Sequence, residues 1–379
     1  MNPRIALKSI FPGAAFLLFA FAAAAQTPAT TLLVVEKAGT QLAIVDPVSL
    51  KILATAPAGA DPHEVVASPD GKLAFISNYG GPQSSLHTIS VVDLVALQPL
   101  PAIDLGLLHG CHGLFIAGGD LYFTAEVNKV IGRYDLASQK IDWILGIGEN
   151  RTHMVWVAPT LDTIVTSNVI SSTISIVDHT QPPRPPNAPG GPPPGPPPAG
   201  SAPRNSAPPA GGPPSGGPRQ RLWSVTDIPV GKGSEGFDVS PDGKEIWSAA
   251  AYDGTVSVID FAAKKVTDTF PISVISANRL RFTPDGKLVL ITGSGAPARG
   301  STTPTPDLVV VDVAKHAEIK QFDLGGSSGG ILMSPDGSRA FVSVTGGNKV
   351  VVIDLKSLTI STEITPLGQP DGLAWAVRN

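Results

Sequence analysis

Apolar and polar positions alternate along this chain in short runs, most of them rich in Val and Ile, each closing on an aspartate. The runs end at Asp46, Asp93, Asp135, Asp178, Asp260, Asp312 and Asp354, with spacings of 47, 42, 43, 82, 52 and 42 residues. Runs this short, with turn residues between them, predict β-strands rather than helices. The long interval contains residues 182–221, which hold 17 of the 38 prolines and no Leu, Ile or Val. Without those 40 residues the interval falls to 42 and the period is restored. A period of this size with several short strands in each unit marks the blades of a β-propeller.

A second marker runs in phase with the first. Ser68-Pro69-Asp70-Gly71-Lys72 returns as Ser240-Pro241-Asp242-Gly243-Lys244, Thr283-Pro284-Asp285-Gly286-Lys287 and Ser334-Pro335-Asp336-Gly337, with Ala158-Pro159 as a decayed copy. Pro presets φ at the first corner and Asp-Gly accepts positive φ, so each copy predicts a tight turn between two strands. A blade therefore reads as strand, Pro-Asp-Gly turn, strand, loop, Asp-ended strand, outer strand. The Asp of each run is expected to cap a turn. Residues 32–36 and 42–46 supply two middle strands with no inner strand before them, and residues 372–377 supply the missing one. The expectation is an all-β, seven-bladed propeller of four-stranded blades, its ring closed by N- and C-terminal strands in one blade.

Composition then divides the chain. With 40 Gly and 38 Pro in 379 residues and only 15% charged residues, a coiled coil or a highly charged disordered protein is excluded. Residues 182–221 have no aromatic or aliphatic core former and only positive charges, Arg184, Arg204, Arg219 and Arg221. Such a segment predicts a disordered, polyproline-like insertion within the propeller. Arg4 and Lys8 precede an apolar stretch at residues 10–25 that ends in Ala23-Ala24-Ala25. Residues 1–25 thus read as a signal peptide cleaved near Ala25/Gln26, leaving residues 26–379 as a single exported domain, periplasmic or extracellular. No second run is long enough to span a membrane, and a net charge of −4 offers no footprint for nucleic acid. A monomer is expected.

These motifs carry a family resemblance. Phe75-Ile76-Ser77-Asn78 resembles the Tyr-Val-Thr-Asn element of the YVTN-repeat propellers, and Ser257-Val258-Ile259-Asp260 and the Ser-Pro-Asp-Gly-Lys turns match the same consensus. The likeness spans about residues 31–181 and 222–379. It implies a seven-bladed propeller of the YncE-like or cytochrome-d1-like kind. Its functional range is wide, including surface-layer proteins, YncE-like periplasmic proteins, haem binders, lactonases and lyases. There is no Cys-x-x-Cys-His, which excludes covalent c-type haem attachment.

One column of the repeat carries the candidate chemistry. Six residues before the turn proline, or before Gly118 where the second blade's turn has decayed, an inner strand begins with His63, His112, His153, Glu235, Asn278 and Gly329, and Asp371 stands at the C-terminal strand. Seven slots drawn from a chain with 7 His in 379 residues should hold about 0.13 histidines, yet they hold three. Inner strands line the central channel, so these side chains are expected to meet at one mouth of it. His63, His112 and His153 with Glu235 resemble the first shell of a divalent transition metal, for which imidazole favours Zn, Cu, Fe or Ni. Glu235 and His153 are the candidates for moving a proton. Asn278, Arg279, Asp371 and Glu64 are candidate ligand-binding residues, although strand alternation turns Glu64 and Arg279 toward neighbouring strands. A Cys111/His109 ligand pair is conceivable, while His87, His179 and His316 are expected in solvated loops. Residues 79–87 and 293–307 read as long loops roofing the mouth.

Three functions fit this reading: an exported propeller binding a metal ion, cofactor, small ligand or protein partner at the mouth; a metal-dependent lactonase or lyase; and an interaction propeller whose channel mouth is merely polar. The export reading has a direct check: intact-mass analysis of the secreted protein should give an N-terminus at or within a few residues of Gln26.

Overall fold

The computed structural model describes residues 28–81, 84–180, 222–296 and 302–378. Among them are seven four-stranded antiparallel sheets. In chain order the blades are built from strands within residues 62–104, 111–146, 152–180 with 222–229, 234–271, 280–322 and 328–364; the seventh joins residues 370–377 to 30–57. In that last blade Pro370–Val377 is the inner strand and pairs with Thr30–Glu36, with Leu33 opposite Ala374. The ring closes with both chain ends in one sheet, as the repeat arithmetic requires. The expected signal peptide and the proline-rich insertion lie outside the described residues. No helix among the described residues is long and apolar enough to cross a membrane.

The middle strands are apolar on both faces because each blade packs on two neighbours. Leu308, Val309, Val310 and Val311 are all fully buried, and the outer strand Lys140–Gly146 alternates between exposed and half-buried. Burial between blades thus produces near-continuous Val/Ile runs, and exposure at the rim produces alternation. The turns form as the motif predicts. In the first, Gly71 takes a φ of +66°, its N–H reaches Ser68 O at 2.9 Å, and Asp70 accepts from Ser68 Oγ at 2.7 Å. The aspartates after the third strands cap turns: Asp46 accepts from the N–H groups of Val48 and Ser49, each at 2.8 Å. Asp178 departs from this role. The chain continues past it to Thr180 and re-enters at Leu222, directly opposite Thr180, while Asp178 accepts from Ser224 Oγ and Lys264 Nζ. Residues 79–87 also differ from expectation. Strands Leu73–Gly81 and Ser84–Asp93 run through most of that segment, because backbone pairing continues past Asn78 to Gly80↔Ser85.

The inner strands are fastened to one another where they begin. Their pairing shifts register between Pro62 and Val65, Cys111 and Leu114, Thr152 and Val155, Ser234 and Gly236, and Ser328 and Ile331. A bulge at this point re-aims side chains. Hydroxyls on the second strands satisfy the backbone that the bulges expose. Ser77 Oγ accepts from Glu64 N, and Thr124 Oγ1 from Gly113 N, both at 2.9 Å; Thr292 Oγ1 accepts from Arg279 N at 3.0 Å. Such hydroxyls also reach across to the next blade. Thr124 donates to His153 O at 2.7 Å, Ser167 to Glu235 O at 2.9 Å, Thr292 to Gly329 O at 2.9 Å and Ser343 to Asp371 O at 2.6 Å. Close approach needs a residue without Cβ: one added at Gly113 would lie 2.5 Å from His153 O, and one at Gly372 2.4 Å from His63 O.

This fastening can be tested with an isosteric change. Thr124 is fully buried, so Thr124→Val leaves Gly113 N and His153 O without that partner and should destabilise the protein by about 1–3 kcal/mol. Urea unfolding should show this, with Thr124→Ser much closer to the parent.

Candidate functional site at the channel mouth

The column predicted from the repeat converges. His63, His112, His153, Glu235, Gly329 and Asp371 are each the second residue of an inner strand, and Asn278 lies two residues before Leu280–Phe282. His112 and His153 are 3% and 1% exposed, so they sit in a low-dielectric pocket rather than in the solvent of an open channel. The rings form a row: His63 to His112 is 4.9 Å between centroids and edge-on, and His112 to His153 is 3.8 Å with 34° between planes. Tyr79 closes the row, 5.1 Å from His63 and 5.2 Å from His112.

His153 is held from both sides. Its Nδ1 bonds the Glu126 carboxylate, whose other oxygen accepts from Tyr79 Oη at 2.7 Å. Its Nε2 lies 3.6 Å from Glu235 Oε1, inside ion-pair range but beyond a hydrogen bond, and makes no hydrogen bond. Burial opposes charge on this imidazole, but the two flanking carboxylates outweigh it and raise its pKa. Glu235 is likewise penalised by burial, yet His153, Arg279 and Arg151 hold its pKa down to about 2. Tyr79 is pushed up to about 12 by burial and then by its bond to Glu126. His112 is the opposite case. Burial first, then the cationic neighbours, drives its pKa well below the ordinary value, and its buried Nδ1 has no hydrogen-bond partner. His63 lies 3.3 Å from Asp371 Oδ2 and 3.3 Å from Asp61 Oδ1, with Lys37 Nζ at 3.4 Å, and burial lowers its pKa.

Glu64 and Arg279 do not point sideways as alternation suggested. They pair with each other across the channel from the first and fifth blades, and Arg279 Nη1 also donates to Asn278 Oδ1 at 2.8 Å. On the Glu64 side the cause is the bulge between Pro62 and Val65, which breaks the two-residue period. Below this pair runs a narrow cavity of about 260 Å³, lined by Val66, Ile116, Met154, Trp156 and Leu332 among others. The structure thus brings all the column side chains together with Glu64 and Arg279. Cys111 stands apart: it is fully buried in an apolar cluster, and burial raises its thiol pKa. Its neighbour His109 bonds Ser85 O at 3.0 Å. His179 and His316 are not simply solvated loop residues, since they stack on Trp223 and Phe270. Among the described residues no group of three or more His, Cys, Asp or Glu stands as a preformed metal-ligand set, and the His112 and His153 rings lie against each other.

Sequence reasoning missed five residues of the mouth, and each lies in a neighbouring column of the same repeat. Lys37 and Glu126 directly follow second strands, and Tyr79 lies near the end of one. Asp61 and Arg151 lie two positions before the histidines, at φ of +43° and +58°. Left-handed backbone is uncommon for residues other than Gly, and Gly110, Gly233, Ser276 and Gln369 share it at the matching positions. Aligning whole repeats, rather than one column, would have exposed them. Two strings overlap the mouth in the form of common motifs, Gly231-Lys232-Gly233-Ser234-Glu235-Gly236 and Gly325-Gly326-Ser327-Ser328-Gly329. Both run into inner strands instead of opening a helix, so neither forms a dinucleotide loop or a nucleophile elbow.

No protein-family model and no curated protein matches the chain. Its fold does match solved structures. A functionally unknown protein from Desulfotomaculum acetoxidans aligns with a TM-score of 0.66 at 10% identity, covering 92% of this chain and 99% of that one. Hydrazine synthase of Kuenenia stuttgartiensis aligns at 0.58 and 18% identity, over 78% and 77%. The Cps50 (Swd1) β-propeller domain of Myceliophthora thermophila aligns at 0.55 and 12%, over 83% and 90%. At these identities the likeness is one of fold. The chain is a seven-bladed β-propeller with a buried, charged channel mouth.

The trans-channel pair gives a stability test. Arg279 is 7% exposed, so Arg279→Met strands Glu64 beside Asp371 and Glu235 and should cost about 3–5 kcal/mol. In guanidinium unfolding, the double variant Arg279→Met, Glu64→Met should recover a large part of that loss.

Proposed function

We propose that this protein is an exported binding propeller whose channel mouth takes a divalent transition metal through His153, Glu235 and His112, with His63 next in the row. The observation that carries this reading is the state of His153. Its Nδ1 is fixed on the Glu126 carboxylate while its buried Nε2 has no hydrogen-bond partner and faces Glu235. A carboxylate on the far nitrogen is how proteins orient a metal-binding imidazole. The 3.6 Å from Nε2 to Glu235 Oε1 is close to the roughly 3.3 Å edge between two donors with legs of about 2.0–2.1 Å in a tetrahedral site. His112 offers a second buried nitrogen without a hydrogen bond, and its ring has to swing off its stack on His153 to serve as the third donor. Charge supports a cation as well. Asp61, Glu64, Glu126, Glu235 and Asp371 face Lys37, Arg151 and Arg279, leaving carboxylates in excess by two.

Elemental analysis of the purified chain should find close to one equivalent of Zn, Cu, Fe or Ni, removable by a chelator. Metal added at a hundredfold excess over Kd should stabilise the stripped protein by about 2.7 kcal/mol. His153→Ala and Glu235→Gln should abolish that gain. A metal-free protein whose melting temperature ignores all four ions overturns the reading.

A further inference from the structure

The opposite face of the ring carries a second unassigned surface, independent of the mouth. At the outer edge between the second and third blades, Trp143 and Trp223 meet at 5.4 Å with 57° between their planes, with Tyr122 6.5 Å from Trp143 and the His179 ring 3.7 Å from Trp223. These four rings, with Arg133 and Leu161, line a cavity of about 230 Å³. Trp143 and Trp223 are only half-buried. Their indole N–H groups donate to no described residue, whereas those of Trp247 and Trp375 donate to Glu245 and to Met333 O. His179 Nδ1 is buried without a partner. The groove therefore presents aromatic faces, two indole N–H donors without a described partner and a buried imidazole nitrogen that makes no hydrogen bond.

We infer that this groove is the docking site of the chain's own proline-rich segment, with the prolines of residues 182–198 laid against Trp143 and Trp223. Position is the first argument. The chain leaves at Thr180 and returns at Leu222, paired directly across the sheet, so both exits adjoin His179 and Trp223. Chemistry is the second. Polyproline II makes no internal hydrogen bonds, and proline offers a carbonyl but no N–H, so such a segment is rich in acceptors and poor in donors. Aromatic grooves that supply indole N–H groups take Pro-rich segments by stacking the pyrrolidine rings and bonding their carbonyls. Charge is the third. Residues 182–198 carry Arg184 and no acid, and the remainder of the insertion adds three more arginines. Around the groove stand Asp120, Asp142 and Asp162, of which the first two already neutralise Arg133. Reach is no obstacle, because the first prolines lie two residues beyond Thr180 and polyproline II advances about 3.1 Å per residue.

The test uses the full chain labelled with 5-fluorotryptophan. Five tryptophans give five fluorine lines, assigned by single Trp→Phe changes. The comparison replaces the prolines of residues 182–198 with serine at unchanged length. The lines of Trp143 and Trp223 should move by more than a linewidth while those of Trp156, Trp247 and Trp375 stay. The displacement should be unchanged on tenfold dilution, and acrylamide should reach the two rim indoles about twofold more readily in the serine variant. Unmoved rim lines with unchanged quenching overturn the inference. So does a displacement that vanishes on dilution, which would make a second copy's segment the occupant. If a Trp→Phe change prevents folding, the quenching comparison on the two segment variants decides alone.

Discussion

The hydroxyl-to-carbonyl clasp between neighbouring inner strands is the constraint on which the rest of the molecule depends. A propeller blade has a large apolar interface with each neighbour, but at the channel end the strands are short, bulged and polar. Backbone groups freed by a bulge must find partners when buried. Thr124, Ser167, Thr292 and Ser343 supply them from one blade to the next, and glycines at the following position let the strands approach. The clasp sits on the very residues whose side chains form the mouth. Tight spacing of the backbone therefore crowds the imidazoles, carboxylates and guanidinium into contact.

That crowding explains the electrostatics. A single buried carboxylate or imidazole tends to shed its charge. Here burial is opposed by near neighbours of opposite sign, and the balance differs from residue to residue. His153 has a carboxylate on each side and its pKa rises, while His112, one ring away, is drawn toward the neutral form by burial and adjacent cations. Two histidines in equivalent positions of the repeat thus acquire opposite tendencies. The Glu64–Arg279 pair extends the network across the channel, so the first and fifth blades, far apart in sequence, are coupled at the site.

Most of the fold was legible because it rests on local rules that repeat. The Asp-ended runs became third strands and the Pro-Asp-Gly turns formed. Residues 370–377 took the inner position beside Thr30–Glu36. Half of the mouth was legible for the same reason, since His63, His112, His153 and Glu235 share one repeat position. Arg279 and Glu64 were misdirected because strand alternation fails at a bulge, and a bulge is a property of paired strands. Glu126, Tyr79, Arg151, Lys37 and Asp61 were overlooked because they occupy other columns.

What the amino-acid order determined by itself was the period, the strand count, the closure of the ring and the list of column residues. Each of these follows from short-range periodicity and turn chemistry. Only the tertiary structure decided which of those residues meet, which ring is biased toward the charged form and which away from it, and that Asp178 leaves its capping role where the chain departs toward Leu222. Those outcomes depend on distances between blades, and such distances exist only after seven separate repeats have packed into one ring.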